Sequence, residues 1–282
     1  MINFPCAKIN LGLNITEKRP DGYHNLETVF FPIPLCDALE VHTMDAAFPS
    51  DADCDLKITG NNILCDEADN LITKAYRLLA ADHKLPRVHA HLYKHIPTEA
   101  GLGGGSSDAA YMIRLLNEAY SLGISREDME GYAARLGADC AFFVAAQPAY
   151  AEGIGEILTP IAIADNNLRG YTIVVVKPSL AVSTKEAFAH IRPQKPSVSC
   201  RDIVAQPVDT WKDRLTNDFE ASIFPSHPEL AAIKQRLYDM GAAYAQMSGS
   251  GSSLFGIFKE SIDQNVVAQQ FTDCKVFANR CE

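Results

Sequence analysis

The chain contains 282 residues, of which 47% are hydrophobic and 21% are charged, and its formal net charge is −10. This length predicts one large domain or two smaller ones, because domains usually contain about 100–200 residues. The frequent hydrophobic residues exclude a mainly disordered chain. The 35 acidic residues against 25 Lys and Arg argue against a long nucleic acid or an anionic membrane surface as partner, since either needs a basic face.

The cysteines and the first residues predict a reducing compartment. The eight cysteines stand at positions 6, 36, 54, 65, 140, 200, 274 and 281, with no CxxC pair among them. A chain of this length needs no disulfides to be stable. The opening MINFPCAKIN lacks a basic stretch followed by an apolar core, and no later apolar run approaches the ~18 residues of a membrane span. We therefore expect a cytoplasmic enzyme that acts on no membrane.

The first half of the chain predicts short strands and then helices. The strand-like runs are 6–15, 26–32, 38–42 and 87–95, the last of which has the pattern of an edge strand. Apolar residues at helical spacing predict a helix over 70–81, with Asp69 or Asn70 as its N-cap. A second helix, apolar on most of its surface and therefore central, is expected from a cap at Ser106 or Ser107 to a stop at Gly123. A third covers 125–136.

The second half predicts an α+β arrangement. It begins with a β-branched strand over 172–178, and the capping-box spacing of Ser183 and Glu186 then opens a helix. The remaining elements are a loop over 193–210, a helix from 227, a strand over 243–247, a Ser/Gly loop, a strand over 254–258, a helix over 263–271 and a strand over 275–279. We place the domains at 1–160 and 161–282.

The sequence GLGGGSSDAA, which starts at Gly101, is the densest chemical signal in the chain. Four glycines in five positions let main-chain N–H groups turn toward a ligand, and the following helix adds its uncompensated N–H groups and positive dipole end. Ser106 and Ser107 place hydroxyls at the same point. The segment predicts a phosphate cradle, although a glycine turn needed only for tight packing is the alternative.

Two other phosphate-binding patterns do not fit this segment. A Walker A loop needs a Gly-Lys dipeptide, and the chain contains none. The dinucleotide fingerprint is nearly matched by Gly101, Gly103 and Ser106. However, Pro97 interrupts the strand that should precede it, and the acidic residue expected about 20 positions later falls inside a helix, at Glu118.

Two charged residues stand beside apolar runs. Lys8 lies in a predicted strand, where it either faces solvent or is held in a site, and Asn10 shares its strand face. Asp139 precedes the apolar run 141–146, where it is either an N-cap, a salt-bridge partner or a functional carboxylate.

Two further features have a structural and a functional reading. The segment MSGSGSS at 247–253 is either a hairpin turn or a second wall of the phosphate site. His89, His91 and His95 share one strand face, but a zinc site in a strand normally needs a ligand from elsewhere, so we expect no protein-held metal there.

Three segments together resemble the GHMP kinase family of small-molecule kinases. They are AKINLGLNI, IPTEAGLGGGSSDAA and MSGSGSSLFGIF, in the order and approximate spacing of the family. RPDGYHNLETVF, LGADCAFF, AEGIGEIL and LTNDFE are similar to the branch that phosphorylates a cytidine-diphosphate-linked methylerythritol in isoprenoid precursor synthesis. The resemblance implies an α+β fold of two domains, the first like domain 2 of ribosomal protein S5 and the second ferredoxin-like.

The resemblance also implies the site. Lys8 and Asp139 match the catalytic pair: Asp139 would accept the hydroxyl proton, and Lys8 would orient Asp139 and face the transferred group. The substrate would contact Asn10, Tyr23, His24, Thr184 and Phe188, with Tyr23 and Phe188 stacking on the base. ATP, accompanied by Mg²⁺, would lie against Pro97, Thr98, Glu99, Ala100, Gly101, Leu102, Gly103, Gly104, Gly105, Ser106 and Ser107.

Some positions depart from the family pattern, and other functions remain open. Cys140 and Ala141 stand where relatives commonly have a small aliphatic residue and proline. Glu99 replaces a small residue, and we expect its carboxylate to point away from the phosphates. Alternatives are a GHMP kinase for another alcohol, such as mevalonate or homoserine, and a non-catalytic ligand sensor. A core tyrosine at Tyr23 and a packed helix residue at Phe188 are the structural alternatives to base binding.

Overall fold

The computed structural model describes residues 1–61 and 66–281. The strands are β1 (Ile2–Asn3), β2 (Cys6–Lys18), β3 (His24–Cys36), β4 (Ala38–Thr43), β5 (Cys54–Gly60), β6 (Val88–Lys94), β7 (Ala149–Glu152), β8 (Ile157–Pro160), β9 (Thr172–Pro178), β10 (Tyr244–Met247), β11 (Leu254–Phe258) and β12 (Cys274–Arg280). The helices are α1 (Leu71–Asp82), α2 (Gly104–Ala119), α3 (Arg126–Ala134), α4 (Cys140–Ala145), α5 (Ala164–Leu168), α6 (Thr184–Phe188), α7 (Cys200–Val204), α8 (Asp218–Ile223), α9 (Pro228–Asp239) and α10 (Gln264–Ala268).

The first compact unit consists of Met1–Ala7, Leu35–Thr98 and Gly103–Ala146. Its sheet has the order β1-β4-β6-β5, in which β6 pairs antiparallel with β4 and parallel with β5. Helix α2 packs against α1, α3 and α4, and most of its side chains from Ser107 to Leu116 are buried. The prediction of a central helix here is therefore confirmed.

Helix α2 begins earlier than its sequence pattern predicts. Gly104 is its first residue and Gly103 its N-cap, with no side-chain capping bond, so the predicted cap at Ser106 or Ser107 is wrong. The cause is the left-handed backbone of Gly103, with φ of 70°, which only glycine adopts easily and which turns the chain into the helix before Ser106 is reached.

The second compact unit consists of Lys8–Pro34, Glu99–Leu102 and Gln147–Glu282. One of its sheets has the order β2-β3-β7-β8. The other is antiparallel with the order β12-β9-β11-β10, and α9 and α10 separate its strands along the chain in a β-α-β-β-α-β sequence, the ferredoxin-like arrangement. Its core includes buried residues of β9, α9 and β11.

Most predicted elements are confirmed, and three corrections follow from weak local signals. Strand β6 lies between two strands and is not an edge strand. Strand β5 was not predicted, because its inward alternation is short. The segment 193–210, predicted as a loop, contains the one-turn helix α7, which Ser199 caps through a bond from the Arg201 N–H.

The predicted division at 160/161 stays a prediction, because the compact units are assembled from discontinuous segments and do not test a single boundary. Within the described residues, no helix combines the length and apolarity that a membrane span needs. The seven cysteines that the structure describes are free thiols, and Cys65 lies outside the described residues.

Candidate active site

Lys8 is buried in the second unit. Its side chain is 3% exposed, which excludes the solvent-facing alternative. Its ammonium donates to Asn10 Oδ1 at 2.7 Å and to the Gly101 carbonyl at 3.2 Å, and it lies 5.1 Å from the centre of the Phe30 ring. Strand alternation places Lys8 and Asn10 on one face of β2, as the sequence predicts. The arrangement fixes a cation beside the glycine-rich segment.

The serine loop, residues 247–253, donates one side-chain and one main-chain hydrogen bond to carbonyls at the start of the glycine-rich segment. Gly101 O accepts a hydrogen bond from Ser248 Oγ at 2.9 Å, and Ala100 O accepts one from Ser253 N at 3.3 Å. Gly101 has φ of 72°, and a Cβ there would lie only 2.9 Å from the carbonyl carbon of Ser248. The serine loop joins the antiparallel pair β10 and β11, so the hairpin prediction is confirmed. Its role as a second wall of the phosphate site stays a prediction.

The sequence LTNDFE anchors the serine loop, a role that the sequence did not reveal. Asn217 Nδ2 donates to the carbonyls of Met247 at 2.8 Å and Gly249 at 2.9 Å. Its Oδ1 accepts from Phe219 N at 3.0 Å, which caps α8. Glu220 accepts from Met247 N at 2.8 Å and from the Lys234 ammonium at 2.6 Å. Only the N-cap position of Asn217 could have been read from sequence, because the carbonyls it holds are about thirty residues away.

The start of α2 presents the chemistry of an anion site in the first unit. The first turn of a helix leaves N–H groups without intrahelical partners and carries a partial positive charge. Ser107 Oγ is buried and has no hydrogen-bond partner among the described atoms, although buried hydroxyls normally have one. Ser106 is partly exposed beside it. These groups fit an oxyanion.

A buried group of three ionisable side chains, which we call the α2 charge cluster, lies below that first turn. The Lys94 ammonium lies 2.5 Å from Asp37 Oδ2 and 2.5 Å from Asp108 Oδ2. Asp37 Oδ1 also accepts from His95 N at 2.6 Å and Ile96 N at 2.8 Å. A Cβ added to Gly104 would lie 3.0 Å from the Lys94 ammonium, so the cluster directly underlies the helix start.

Burial governs the charges of this cluster. Burial raises the pKa of Asp108 to about 8, against the opposing effect of Lys94. Burial alone would lower the pKa of Lys94, but Asp108 and Asp37 outweigh it, and the pKa of Lys94 is raised. Sequence reasoning missed the cluster, although a signal exists: Lys94 continues the inward series Val88, Ala90 and Leu92 of β6.

Asp139 immediately precedes α4. It occupies the N-cap position, as one of the structural alternatives predicts, but its side chain makes no capping bond there. The unusual Cys140 and Ala141 are buried in the first turn of α4, and burial raises the pKa of the Cys140 thiol to about 11. Lys8 belongs to the second unit and Asp139 to the first, and their pairing stays a prediction.

The structure brings together two of the expected base-binding residues in the second unit. The rings of His24 and Phe188 are stacked, with centroids 4.8 Å apart and an interplanar angle of 23°, and Phe188 meets Phe219 edge to face. Tyr23 is 62% exposed, so the core-tyrosine alternative is wrong. Thr184 begins α6 and is exposed, and Asn10 is bonded to Lys8.

The remaining expected residues are placed as follows. Pro97 is buried and Thr98 is exposed. Glu99 is exposed and has a left-handed backbone with φ of 49°. On β6, His89 Nδ1 lies 2.8 Å from Asp55 Oδ2 and His91 Nε2 lies 2.9 Å from Thr59 Oγ1, which gives both rings partners within the sheet.

Comparison with known proteins places this chain in a family. The family model of the GHMP kinase N-terminal domain matches residues 70–147, and that of the C-terminal domain matches residues 202–275. A Bacteroides thetaiotaomicron protein named 4-diphosphocytidyl-2-C-methyl-D-erythritol kinase is 54% identical over 259 residues, covering 92% of each chain. The same name belongs to a Parabacteroides distasonis protein that is 47% identical with the same coverage. The chain belongs to the GHMP kinase family.

Solved structures agree with this assignment. A crystal structure of 4-(cytidine 5′-diphospho)-2C-methyl-D-erythritol kinase has a TM-score of 0.83 and 31% identity, covering 99% of this GHMP kinase and 98% of that chain. Homoserine kinase from Cytophaga hutchinsonii, at 15% identity and a TM-score of 0.71, shows the likeness of fold alone. The predicted two-domain α+β GHMP kinase fold is confirmed, as is the prediction of an enzyme. Membership of the GHMP kinases implies ATP as the phosphate donor.

Proposed function

We propose that this GHMP kinase phosphorylates the 2-hydroxyl of 4-diphosphocytidyl-2-C-methyl-D-erythritol with ATP, giving the 2-phosphate and ADP in the non-mevalonate route to isoprenoid precursors. The observation that carries the proposal is the 54% identity over 92% of each chain to a relative of that name. The stacked His24 and Phe188 rings support it, since aromatic faces and an imidazole suit a pyrimidine base. The setting would be the cytoplasm, with a small molecule rather than nucleic acid as partner.

The phosphates of ATP fit the segment from Pro97 to Ser107. The unpartnered Ser107 hydroxyl and the N–H groups of the first turn of α2 would bind oxyanions there. Within the described residues, no group of three His, Cys, Asp or Glu side chains could hold a metal ion. Mg²⁺ commonly keeps phosphate and water ligands and few protein ligands, and when bound it would offset phosphate charge. The hydroxyls of Ser106 and Ser107 are the groups in this segment that suit it.

Lys8 and Asp139 would carry the chemistry. Phosphoryl transfer to an alcohol needs an acceptor for the hydroxyl proton and positive charge beside the transferred group. Asp139 has the carboxylate for the first task, and its side chain is not used to cap α4. Lys8 has the cation for the second and is fixed by Asn10 and Gly101. The attraction of two anionic ligands to a chain of net charge −10 would thus be local.

Turnover is the direct test of the proposed reaction. The protein is incubated with ATP, Mg²⁺ and 4-diphosphocytidyl-2-C-methyl-D-erythritol while ADP release is followed, and parallel reactions contain mevalonate or homoserine. We expect turnover with the cytidine-linked substrate alone. Turnover confined to mevalonate or homoserine would show a GHMP kinase for another alcohol, and ATP binding without turnover of any substrate would show a ligand sensor.

The proposed roles have separate tests. Asp139→Asn should lower kcat by about 10²- to 10⁴-fold with little change in ATP affinity, because the amide cannot accept the proton. A rate near that of the wild type would reject Asp139 as the base. His24→Ala should raise KM for the cytidine-linked substrate, whereas His190→Ala, which changes an exposed histidine just after α6, should not. Equal KM values in both variants would remove His24 from the base site.

A further inference from the structure

Thr28 belongs to a short series of hydrogen bonds that runs from Lys8 to the Gly12 carbonyl. It belongs to β3, is 1% exposed, and was not among the expected site residues. Asn10 Nδ2 donates to Thr28 Oγ1 at 2.9 Å, and Thr28 Oγ1 donates to the Gly12 carbonyl at 2.5 Å. With the 2.7 Å bond from the Lys8 ammonium to Asn10 Oδ1, four residues are joined in one line.

The chemistry of the two ends fixes the direction of every bond in this line. An ammonium group can only donate, so the Asn10 atom that faces Lys8 has to be the carbonyl oxygen. The amide nitrogen of Asn10 then faces Thr28 and donates to the hydroxyl oxygen. Because that oxygen is accepting, its own hydrogen points to the Gly12 carbonyl, which can only accept. Asn10 accepts and donates through two different atoms, whereas Thr28 does both through its single hydroxyl oxygen.

We propose that Thr28 is a positioning residue for phosphoryl transfer: its hydroxyl holds the Asn10 amide so that the amide oxygen, and not the NH₂ group, faces Lys8. This inference rests on the proposed function, in which Lys8 faces the transferred group. The opposite amide orientation would bring N–H donors against the ammonium and push it from its place. Burial of Lys8, Asn10 and Thr28 keeps water from replacing the lost hydroxyl.

Removal of the hydroxyl at constant shape tests this role. Thr28→Val should lower kcat by about 10- to 100-fold at saturating substrates, because small displacements of a catalytic group cost this much. KM for ATP should stay within about twofold, since the phosphate cradle is unchanged. Thr28→Ser retains the hydroxyl and should restore most of kcat. Rates are measured per ATP-analogue-binding site, so that unfolded protein does not count. If valine prevents folding, Thr28→Ala has the same expected result.

A second background separates positioning from packing. In Asn10→Asp both side-chain oxygens are acceptors, so the side chain presents an acceptor to Lys8 whichever way it is rotated. The Thr28 hydroxyl then has no amide orientation to select. Adding Thr28→Val to Asn10→Asp should therefore change kcat by less than about threefold. An equal loss in both backgrounds, or wild-type kcat in Thr28→Val alone, would overturn the inference. Absence of turnover in the wild type would overturn the proposed function itself, and the role of Thr28 with it.

Discussion

Lys94 and Lys8 are both almost fully buried, but their surroundings differ. Lys94 in the α2 charge cluster contacts two carboxylates, Asp37 and Asp108, each at 2.5 Å. Lys8 donates to two neutral oxygens, those of the Asn10 amide and the Gly101 carbonyl. Carboxyl groups beside a buried ammonium stabilise its charge more strongly than neutral oxygens do. Lys94 therefore holds the start of α2, whereas the bonds of Lys8 to Asn10 and Gly101 fix the position of its ammonium beside Gly101.

The largest effect should come from removing the cation of the α2 charge cluster. Lys94→Met leaves two buried carboxyl groups without their partner and should cost about 3–5 kcal/mol of unfolding free energy. Lys177→Met is the matched control: Lys177 is also buried but donates to the carbonyls of Pro178 and Leu180, and its loss should cost about 1–2 kcal/mol. Denaturant titration measures both. Equal losses of unfolding free energy would show that the carboxyl partners of Lys94 make its removal no more costly than removal of a buried lysine that donates to carbonyls.

A neutral anchor should give a smaller loss. Asn217→Ala leaves the carbonyls of Met247 and Gly249 without their donor and removes the cap of α8, with an expected cost of about 2–3 kcal/mol. Asn217→Asp retains the cap acceptor and loses only the donors, so it separates the two contributions. KM for ATP should rise in both variants if the serine loop borders the phosphate site. An unchanged KM for ATP would show that the serine loop does not border the phosphate site.

The charge cluster should also make stability depend on pH. The pKa of Asp108 is raised to about 8 in the folded chain, so between its ordinary value and pH 8 the folded state binds a proton that the unfolded state releases. The stabilisation that this proton provides is complete below the pKa that Asp108 has in the unfolded chain. It decreases as pH rises from there, by at most about 1.4 kcal/mol per pH unit, and is lost once the pH exceeds the folded pKa of about 8. Asp108→Asn should abolish that decline, which lies between about pH 4 and pH 8. A decline of the same size in Asp108→Asn would assign it to other groups.

The smallest effect should come from Ser248, whose hydroxyl donates to Gly101 O. Ser248→Ala should cost about 1 kcal/mol, because that carbonyl retains its bond from Lys8. Ser248→Cys keeps a weak donor and should cost less. A loss above about 3 kcal/mol would mean that the contact of the two loops depends on this hydroxyl more than on their main chains.

Sequence reasoning succeeded where periodicity and turn chemistry act locally. Asn70 caps α1 as predicted, and Ser125, the first residue of the predicted third helix, caps α3, since a cap contacts groups two or three residues away. It failed where partners are distant in the chain. Asp37, Lys94 and Asp108 have no common pattern, and only the inward position of Lys94 on β6 indicated that it would need a partner.

In the candidate site, too, local contacts could be predicted from the sequence and contacts between distant residues could not. Lys8 and Asn10 share a strand face, so alternation predicted their proximity. The family resemblance named His24 and Phe188 as substrate contacts but did not predict that their rings stack on each other, and no local rule connects residues so far apart in the chain. Thr28 was missed because a buried threonine in a strand has the same pattern as any core position; only the position of its hydroxyl distinguishes it.

Two glycines with nearly the same backbone angle should behave differently in a library of single substitutions. Gly101 and Gly123 have φ of 72° and 70°. At Gly123 no described atom lies within 4 Å of an added Cβ, so asparagine and aspartate, which tolerate this angle, should survive selection. At Gly101 the added carbon would collide with the Ser248 carbonyl, and every replacement should be lost. Sequencing the library before and after selection would thus distinguish a glycine required only for its backbone angle from one required because any side chain would collide with a neighbouring carbonyl.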